Sequence, residues 1–129
     1  MKSTKGKISG GYLHIKWNSG SELGALTKDE KCFIFSVNDK MILQPTNPDR
    51  AVSFSVGNGG PAFGCNSLTV QDSQMMNEAN NCNCYTDGKH DFFGVPTDPQ
   101  GNSILTGDGA GKQIKKFTLS AMETWLVKY

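Results

Sequence analysis

The chain has 129 residues, which is the length of a single domain. Its 13 Lys and Arg residues are balanced by 12 Asp and Glu residues, and the formal net charge of +1 argues against strong electrostatic binding to nucleic acid or to an anionic membrane. The sequence has no apolar run long enough to cross a bilayer, so we expect no membrane insertion. The 15 glycines and 5 prolines predict many turns, which favours short strands over long helices.

The chain contains four cysteines, which are few for a disulfide-stabilised scaffold. They are Cys32, Cys65, Cys82 and Cys84. Because Cys32 lies in an apolar run typical of a buried strand, we expect reduced thiols. Reduced thiols are typical of a cytoplasmic protein, and a nuclear location is an alternative.

The first part of the chain is predicted to contain three strands joined by short connections. Residues 8–17 alternate between apolar and polar side chains, which indicates a strand with a glycine kink near its start. Residues 32–37 form a nearly continuous apolar run, which is typical of a central strand. Polar residues 38–40 suit a hairpin turn, and residues 41–43 are then the predicted returning strand.

The middle of the chain is predicted to be a strand, a glycine-rich corner and a second strand. Residues 51–56 alternate, and three glycines among residues 57–60 precede Pro61. The alternation resumes over residues 68–71. Phe63 is the large apolar residue of the corner, so we expect it to anchor the corner to the core.

The last part is predicted to hold one short helix, a long loop and two strands. Residues 71–81 have modest helical character, and residues 80–85 are expected to form a short strand. Residues 115–129 are predicted to close the fold as a strand. One face of that strand is apolar and carries Phe117, Leu119, Ala121, Trp125 and Val127. We expect Trp125 and Trp17 to lie in the core.

The order of these motifs resembles a TLDc domain. The resemblance spans nearly the whole chain and rests on five segments that are individually weak but stand in the right order. They are Gly10-Gly11-Tyr12 ahead of Trp17, residues 32–37, the corner Gly60-Pro61-Ala62-Phe63-Gly64 with Leu68 and Val70, residues 80–85, and Met122-Glu123-Thr124-Trp125 with Phe117 and Val127.

The resemblance implies an antiparallel β-sandwich of two sheets, with short helices at the margins and Gly/Pro-rich loops. It also implies a non-enzymatic protein-interaction domain that acts in oxidative-stress resistance, and in several relatives binds the vacuolar proton-pumping ATPase. No cofactor is expected. Family members carry further elements before the Gly-Gly-Tyr motif, so residues 1–129 are expected to be one domain lacking its N-terminal part. The family often has extra glycines and an aspartate where this chain has residues 65–67.

Glu123 is the discordant residue of the apolar face predicted for residues 115–129. A buried carboxylate must find hydrogen-bond donors or become protonated, because an isolated buried charge is costly. Glu123 is therefore either an acid in a pocket or partner site, or a carboxylate that accepts backbone N–H groups. We favour the second interpretation because buried carboxylates are usually paired.

Two further groups of residues give alternative functions. Cys82 and Cys84 form either a redox thiol pair for an antioxidant activity or two small buried side chains, and we favour the second interpretation. Lys112, Lys115 and Lys116 form a basic cluster that would suit a stress-responsive regulator binding nucleic acid, against which the net charge argues. Residues 107–112 lack the spacing of a phosphate-binding loop.

A sandwich without its first strands would leave a sheet edge unpaired. Unpaired edges recruit other chains because their N–H and C=O groups remain available. The sequence therefore predicts a homo-oligomer, a swapped dimer or a missing companion segment that covers the edge.

Overall fold

The computed structural model describes residues 1–16, 26–53, 62–64, 67–70, 80–83, 92–108 and 114–128, and at residues 80–83 and 114–116 it describes the backbone alone. In these residues, eleven short strands form three antiparallel sheets, and a turn of 3-10 helix covers Pro48–Arg50. The mainly β, antiparallel fold expected from the sequence is confirmed. In chain order the strands are β1 (Lys2–Ser3), β2 (Ser9–Tyr12), β3 (Leu26–Thr27), β4 (Phe33–Ser36), β5 (Met41–Leu43), β6 (Val52–Ser53), β7 (Ala62–Phe63), β8 (Leu68–Thr69), β9 (Asn80–Asn83), β10 (Ile114–Phe117) and β11 (Leu119–Ala121).

One sheet has three strands in the order β2-β4-β5. β4 is its central strand, as the apolar run predicted, but only one face of β4 is fully buried. Ile34 and Ser36 point into the protein, whereas Phe33 and Phe35 are half-buried on the other side. The alternation follows from the pleat, which sends successive side chains to opposite faces.

The predicted hairpin turn joins β4 to β5. Residues 37–40 form the turn, in which Lys40 adopts a positive φ of 51°. The Ser36 hydroxyl donates to the Asp39 carboxylate at 2.8 Å, and the Asp39 N–H reaches the same hydroxyl at 3.3 Å. Such side-chain bonds stabilise tight turns by replacing missing backbone partners.

A second sheet has six strands in the order β10-β9-β8-β7-β6-β3, and a third pairs β1 with β11. Phe63 on β7 is buried and packs edge-on against Phe93, with ring centroids 6.1 Å apart. Its predicted role as an anchor is confirmed. The Phe63 ring also lies against Gly11 of β2, where an added Cβ would meet the ring far inside van der Waals contact. The contact brings the three-stranded and six-stranded sheets together face to face.

Buried serines attach residues 104–106 to the strands. Three hydroxyls, each from a different strand, lie within hydrogen-bond distance of three consecutive backbone carbonyls of a buried turn. Ser3 and Ser9 donate to theirs, whereas Ser36 shares its single hydrogen between this carbonyl and the closer Asp39 carboxylate. The pairs are Ser3 Oγ with the Thr106 carbonyl at 2.6 Å, Ser9 Oγ with the Leu105 carbonyl at 2.7 Å, and Ser36 Oγ with the Ile104 carbonyl at 3.2 Å. The serines satisfy carbonyls that would otherwise be buried without partners, which is costly.

The closing strand is shorter than predicted. β10 ends at Phe117 and β11 ends at Ala121, and residues 122–128 have no regular secondary structure. Glu123 is exposed, so the premise that it is a buried carboxylate is wrong. Trp125 is 77% exposed and does not lie in the core. The reason is that β11 pairs with β1, where Lys2 lies opposite Ala121, so the following residues extend past the end of β1.

The strand predicted over residues 8–17 also ends early, at Tyr12, because residues 14–15 are bound by a carboxylate from another loop, as described below. The strand predicted over residues 80–85 is confirmed in part as β9. Other predictions lie outside the described residues. They concern Trp17, residues 54–61 with Gly60 and Pro61, and the part of the predicted helix over residues 71–79.

Candidate interaction surface

The three-stranded sheet carries an apolar surface on the side that faces away from the core. Strand register sets it out in rows: Gly10 lies beside Phe35, which lies beside Ile42, and Tyr12 lies beside Phe33. At the end of the ladder the Val37 N–H donates to the Ile8 carbonyl at 2.9 Å. We call this surface the outer face, and it consists of Ile8, Tyr12, Phe33, Phe35, Val37 and Ile42.

The aromatic rings of the outer face pack against one another and against Gly10. Tyr12 and Phe33 are stacked, with centroids 5.2 Å apart and planes at 27°, and Phe33 and Phe35 are 6.3 Å apart. A Cβ added at Gly10 would lie 2.7 Å from Cζ of Phe35, so only glycine lets the Phe35 ring lie over β2. The Phe35 ring therefore packs directly on the backbone of β2.

Much of the outer face remains in contact with solvent. Ile42 is 67% exposed, Val37 is 51% exposed and Ile8 is 41% exposed. Single exposed apolar residues are ordinary, but a contiguous group of them marks a site of interaction. Since the group lies on hydrogen-bonded strands, a partner would meet a surface that is already ordered.

A second apolar surface follows β11. Residues 122–128, which we call the apolar tail, include Leu126 at 85% exposure and Val127 at 53% exposure next to the exposed Trp125. The tail is fixed at its start, where Met122 packs against the core. Burial lowers the pKa of the Met1 ammonium group, and the nearby charge of Glu123 opposes that shift.

Asp29 fixes the chain at one end of the outer face. Asp29 is 2% exposed, and its carboxylate accepts hydrogen bonds from four backbone N–H groups. One oxygen accepts from His14 at 2.9 Å and Ile15 at 3.2 Å, and the other accepts from Lys31 and Cys32, both at 3.0 Å. The carboxylate therefore joins the segment after β2 to the segment before β4. His14 then lies beside Tyr12, with 3.2 Å between Nδ1 and Oη.

The other end of the outer face carries an ion pair. Lys7 Nζ lies 3.1 Å from Asp39 Oδ2. The hydrogen bond from Ser36 lowers the pKa of the Asp39 carboxyl, and Lys7 lowers it further. Both charged side chains are partly exposed, so the pair forms a polar rim and contributes little to stability.

Cys32 is a buried thiol beneath the sheet. Its Sγ donates to the Asp29 carbonyl at 3.3 Å. Burial raises the pKa of the Cys32 thiol to about 12, and the Asp29 charge adds to the shift. A thiol of such a high pKa is not a nucleophile at neutral pH, because the reactive species is the thiolate.

The other residues predicted as sites fall in different places. Cys82 on β9 is paired with Lys115 on β10, and Asn81 is paired with Lys116. Of the residues predicted as sites, the strand register therefore places Cys82 opposite Lys115, with Lys116 one position further along β10. Cys84 and Lys112 lie outside the described residues.

The residues predicted as structural motifs have clear roles where they are described. The Phe35 ring packs against Gly10, and the Phe63 ring packs against Gly11 on the opposite side of β2. Gly64 adopts a positive φ of 64°, and its N–H donates to the Ala51 carbonyl at 2.6 Å. A side chain at that position would be strained and would also meet Ser67.

Neither exposed apolar surface was predicted from the sequence as an interaction site, and the structural role of Asp29 was not predicted either. The one polar residue of the run over residues 32–37 is Ser36, which is buried, so polarity does not mark the exposed face of β4. Asp29 lies in a polar loop and carries no distinguishing pattern. The described ranges hold no group of three or more His, Cys, Asp or Glu residues able to bind a metal ion, and no helix in them could span a membrane.

The TLDc domain family model matches residues 1–128, which is nearly the whole chain. The chain therefore belongs to the TLDc domain family, as the order of its sequence motifs implied. Searches of curated proteins and of solved structures gave no significant match.

Proposed function

We propose that this chain is a non-catalytic protein-interaction domain that acts in resistance to oxidative stress by binding the vacuolar proton-pumping ATPase. Membership of the TLDc family supports the class of domain, and the stress role and the partner are expectations from that family. The observation that carries the interaction role is the outer face, where Val37 and Ile42 are exposed on an ordered sheet.

The outer face suits a protein partner better than a small polar ligand. Its centre is aromatic, and its charged groups lie at the ends of the strands. An apolar centre with a polar rim is the usual arrangement of a protein–protein interface. Ile42, on the outer strand β5, is the most exposed apolar residue of the outer face, so we expect it to contribute strongly to binding.

The proposal is tested by capturing the purified ATPase on the immobilised chain and measuring ATP hydrolysis in its presence. We expect Ile42→Asn to reduce capture about tenfold or more, because it places an amide in the apolar contact. Gln44→Asn is the matched control, since Gln44 is also exposed and already polar. No capture by the unchanged chain would refute this choice of partner.

A thiol-based activity is a second candidate, favoured by the pairing of Cys82 with Lys115 in the register of β9 and β10. A cation near a cysteine lowers the thiol pKa and makes the thiolate available. If the activity exists, Cys82 will react with a sulfenic-acid probe after peroxide treatment, and Cys82→Ser will abolish protection against peroxide. Protection that survives in the Cys82→Ser variant would exclude it.

A further inference from the structure

We propose that this domain binds an extended segment of another protein by strand addition, in the position between β2 and the apolar tail. The inference goes beyond the proposed function, because the position lies at an edge of β2 and not on the outer face. It rests on backbone groups of Gly11 and of the tail, which border the same position from two sides.

The backbone groups of β2 point alternately toward β4 and away from it. The Ile8 carbonyl accepts the Val37 N–H on the β4 side at 2.9 Å. Since successive residues of a strand direct these groups to opposite sides, those of Ser9 and Gly11 face away from β4. At Ser9 this is seen directly, because its N–H donates to the Met1 carbonyl at 3.1 Å and its carbonyl accepts from the Met1 ammonium group at 2.9 Å.

Gly11 lies at an open edge. In the part of the chain that the structure describes, β2 pairs with β4 alone, and the bridge between Lys2 and Ile8 ends before Gly11 is reached. Gly11 is exposed, although the Phe63 ring lies against it on the inner side. A strand residue that is covered on its inner face and still exposed has an edge open to solvent, and such an edge can pair with another chain.

The apolar tail borders the same position from the other side. β1 runs antiparallel to both of its neighbours, since Lys2 lies opposite Ala121 of β11 and bridges to Ile8 before β2. β2 and β11 therefore run in the same direction with one strand between them, about 10 Å apart. The tail continues from β11, and the charge of Glu123 opposes the fall that burial causes in the pKa of the Met1 ammonium group, so the tail starts beside Met1.

An extended polypeptide is the occupant that both borders fit. Each border presents N–H and carbonyl groups at the spacing of a strand, and a backbone supplies acceptors and donors at that spacing. Among the described residues, the tail makes no backbone hydrogen bond, and Trp125 is 77% exposed. The position is therefore open for a segment to enter from outside. Pairing would turn the tail into the strand that its alternating sequence predicts.

The inner side of the position sets the sequence that the segment needs. A residue paired with Gly11 directs its side chain to the same face as Gly11, where the Phe63 ring lies. We expect an apolar residue there, and polar residues at the two neighbouring positions, which face outward. The partner is therefore a segment of alternating apolar and polar residues that runs antiparallel to β2.

The first experiment measures hydrogen exchange of single backbone amides in the purified 129-residue chain by NMR. We expect the Gly11 amide to exchange about tenfold or more faster than the amides of Gly10 and Tyr12, which face β4. If Gly11 is protected as well as Gly10 and Tyr12, a part of the chain itself fills the position, and the proposal is wrong.

The second experiment selects binders from a library of short random peptides on the immobilised chain. We expect the selected peptides to alternate between apolar and polar residues, and a synthetic copy to protect the Gly11 amide from exchange. The matched control is the same peptide N-methylated at the residues that face β2, which keeps every side chain. We expect it to bind about tenfold or more weakly, because it lacks those N–H groups. A selection without binders, or binders that tolerate N-methylation, would overturn the proposal.

The border formed by the tail is tested with Thr124→Pro and Trp125→Pro. Neighbouring N–H groups of a strand point to opposite sides and proline has none, so we expect one of the two variants to weaken peptide binding about tenfold. Gln44→Asn, after the strand at the far edge of the sheet, should bind as the unchanged chain does. Circular dichroism checks that the variants fold. A peptide N-methylated at the residues that face the tail asks the same question of the unchanged chain. If neither proline variant nor this peptide binds more weakly, the tail is not a border and strand addition between the two is excluded.

Discussion

Asp29→Asn gives the sharpest test of how the sheet and its loops are held together. The substitution keeps the size of the side chain but replaces one carboxylate oxygen by an NH₂ group. Whichever oxygen is replaced, two backbone N–H groups lose their acceptor and face a donor instead. Their partner is 2% exposed, so water cannot easily take its place.

The expected cost follows from the contacts. A hydrogen bond to a charged group contributes about 1.5–3 kcal/mol, so the loss of two such bonds destabilises the fold by about 3–6 kcal/mol. A domain of this length has only about 6–19 kcal/mol of stability at about 0.05–0.15 kcal/mol per residue. The melting temperature should therefore fall by about 10 °C or more.

The assay is urea unfolding of the Asp29→Asn variant, followed by circular dichroism. Glu30→Gln is the matched control, because Glu30 is the adjacent carboxylate and is exposed while paired with Lys28 at 2.6 Å. We expect the control to leave the urea midpoint unchanged within error. If Asp29→Asn shifts the midpoint no more than the control does, the four N–H contacts do not hold these segments together.

Three further predictions concern the core. Gly11→Ala should destabilise the fold by about 1–3 kcal/mol in urea unfolding, because the new methyl group forces the Phe63 ring out of its site; an unchanged midpoint would contradict this packing. Thr69→Val should raise stability by about 1 kcal/mol, because the buried Thr69 hydroxyl has no hydrogen-bond partner among the residues that the structure describes; a loss of stability would reveal a partner. The Cys32 thiol has a folded pKa of about 12 against an ordinary value of 9.0, so the unfolded chain releases its proton first as pH rises. The stabilisation is complete below pH 9 and should be lost between pH 9 and 12 at up to about 1.4 kcal/mol per pH unit. Cys32→Ala should remove this pH dependence of the free energy of unfolding. If the variant and the unchanged chain lose stability equally between pH 9 and 12, the loss does not come from the Cys32 thiol.

Local sequence patterns predicted much of the strand arrangement. The apolar run over residues 32–37, the polar turn at residues 38–40 and the apolar residues 41–43 correctly gave the hairpin of β4 and β5. Turn chemistry and alternation act over a few residues, so neighbouring sequence is sufficient to encode them. For the same reason the central role of Phe63 could be inferred from its place beside the glycine–proline corner.

The failures lie where the outcome depends on distant residues. Residues 122–128 continue the alternation of β11, yet they are not a strand in the structure, because β1 provides hydrogen-bond partners only as far as Lys2. Glu123 and Trp125 were therefore placed on a buried face that does not exist. An alternating pattern shows which residues could share a face, but a face is buried only where another layer covers it.

The sequence by itself determined the fold class, the family and the position of most strands, because those depend on local alternation, on turn residues and on the order of motifs. Only the tertiary structure decided which faces are covered. Asp29 meets the N–H groups of residues 14–15 across the fold, and Gly11 meets Phe63 on a different sheet. The outer face and the apolar tail are exposed for the same physical reason, since burial is a property of how layers meet in three dimensions and not of any single segment.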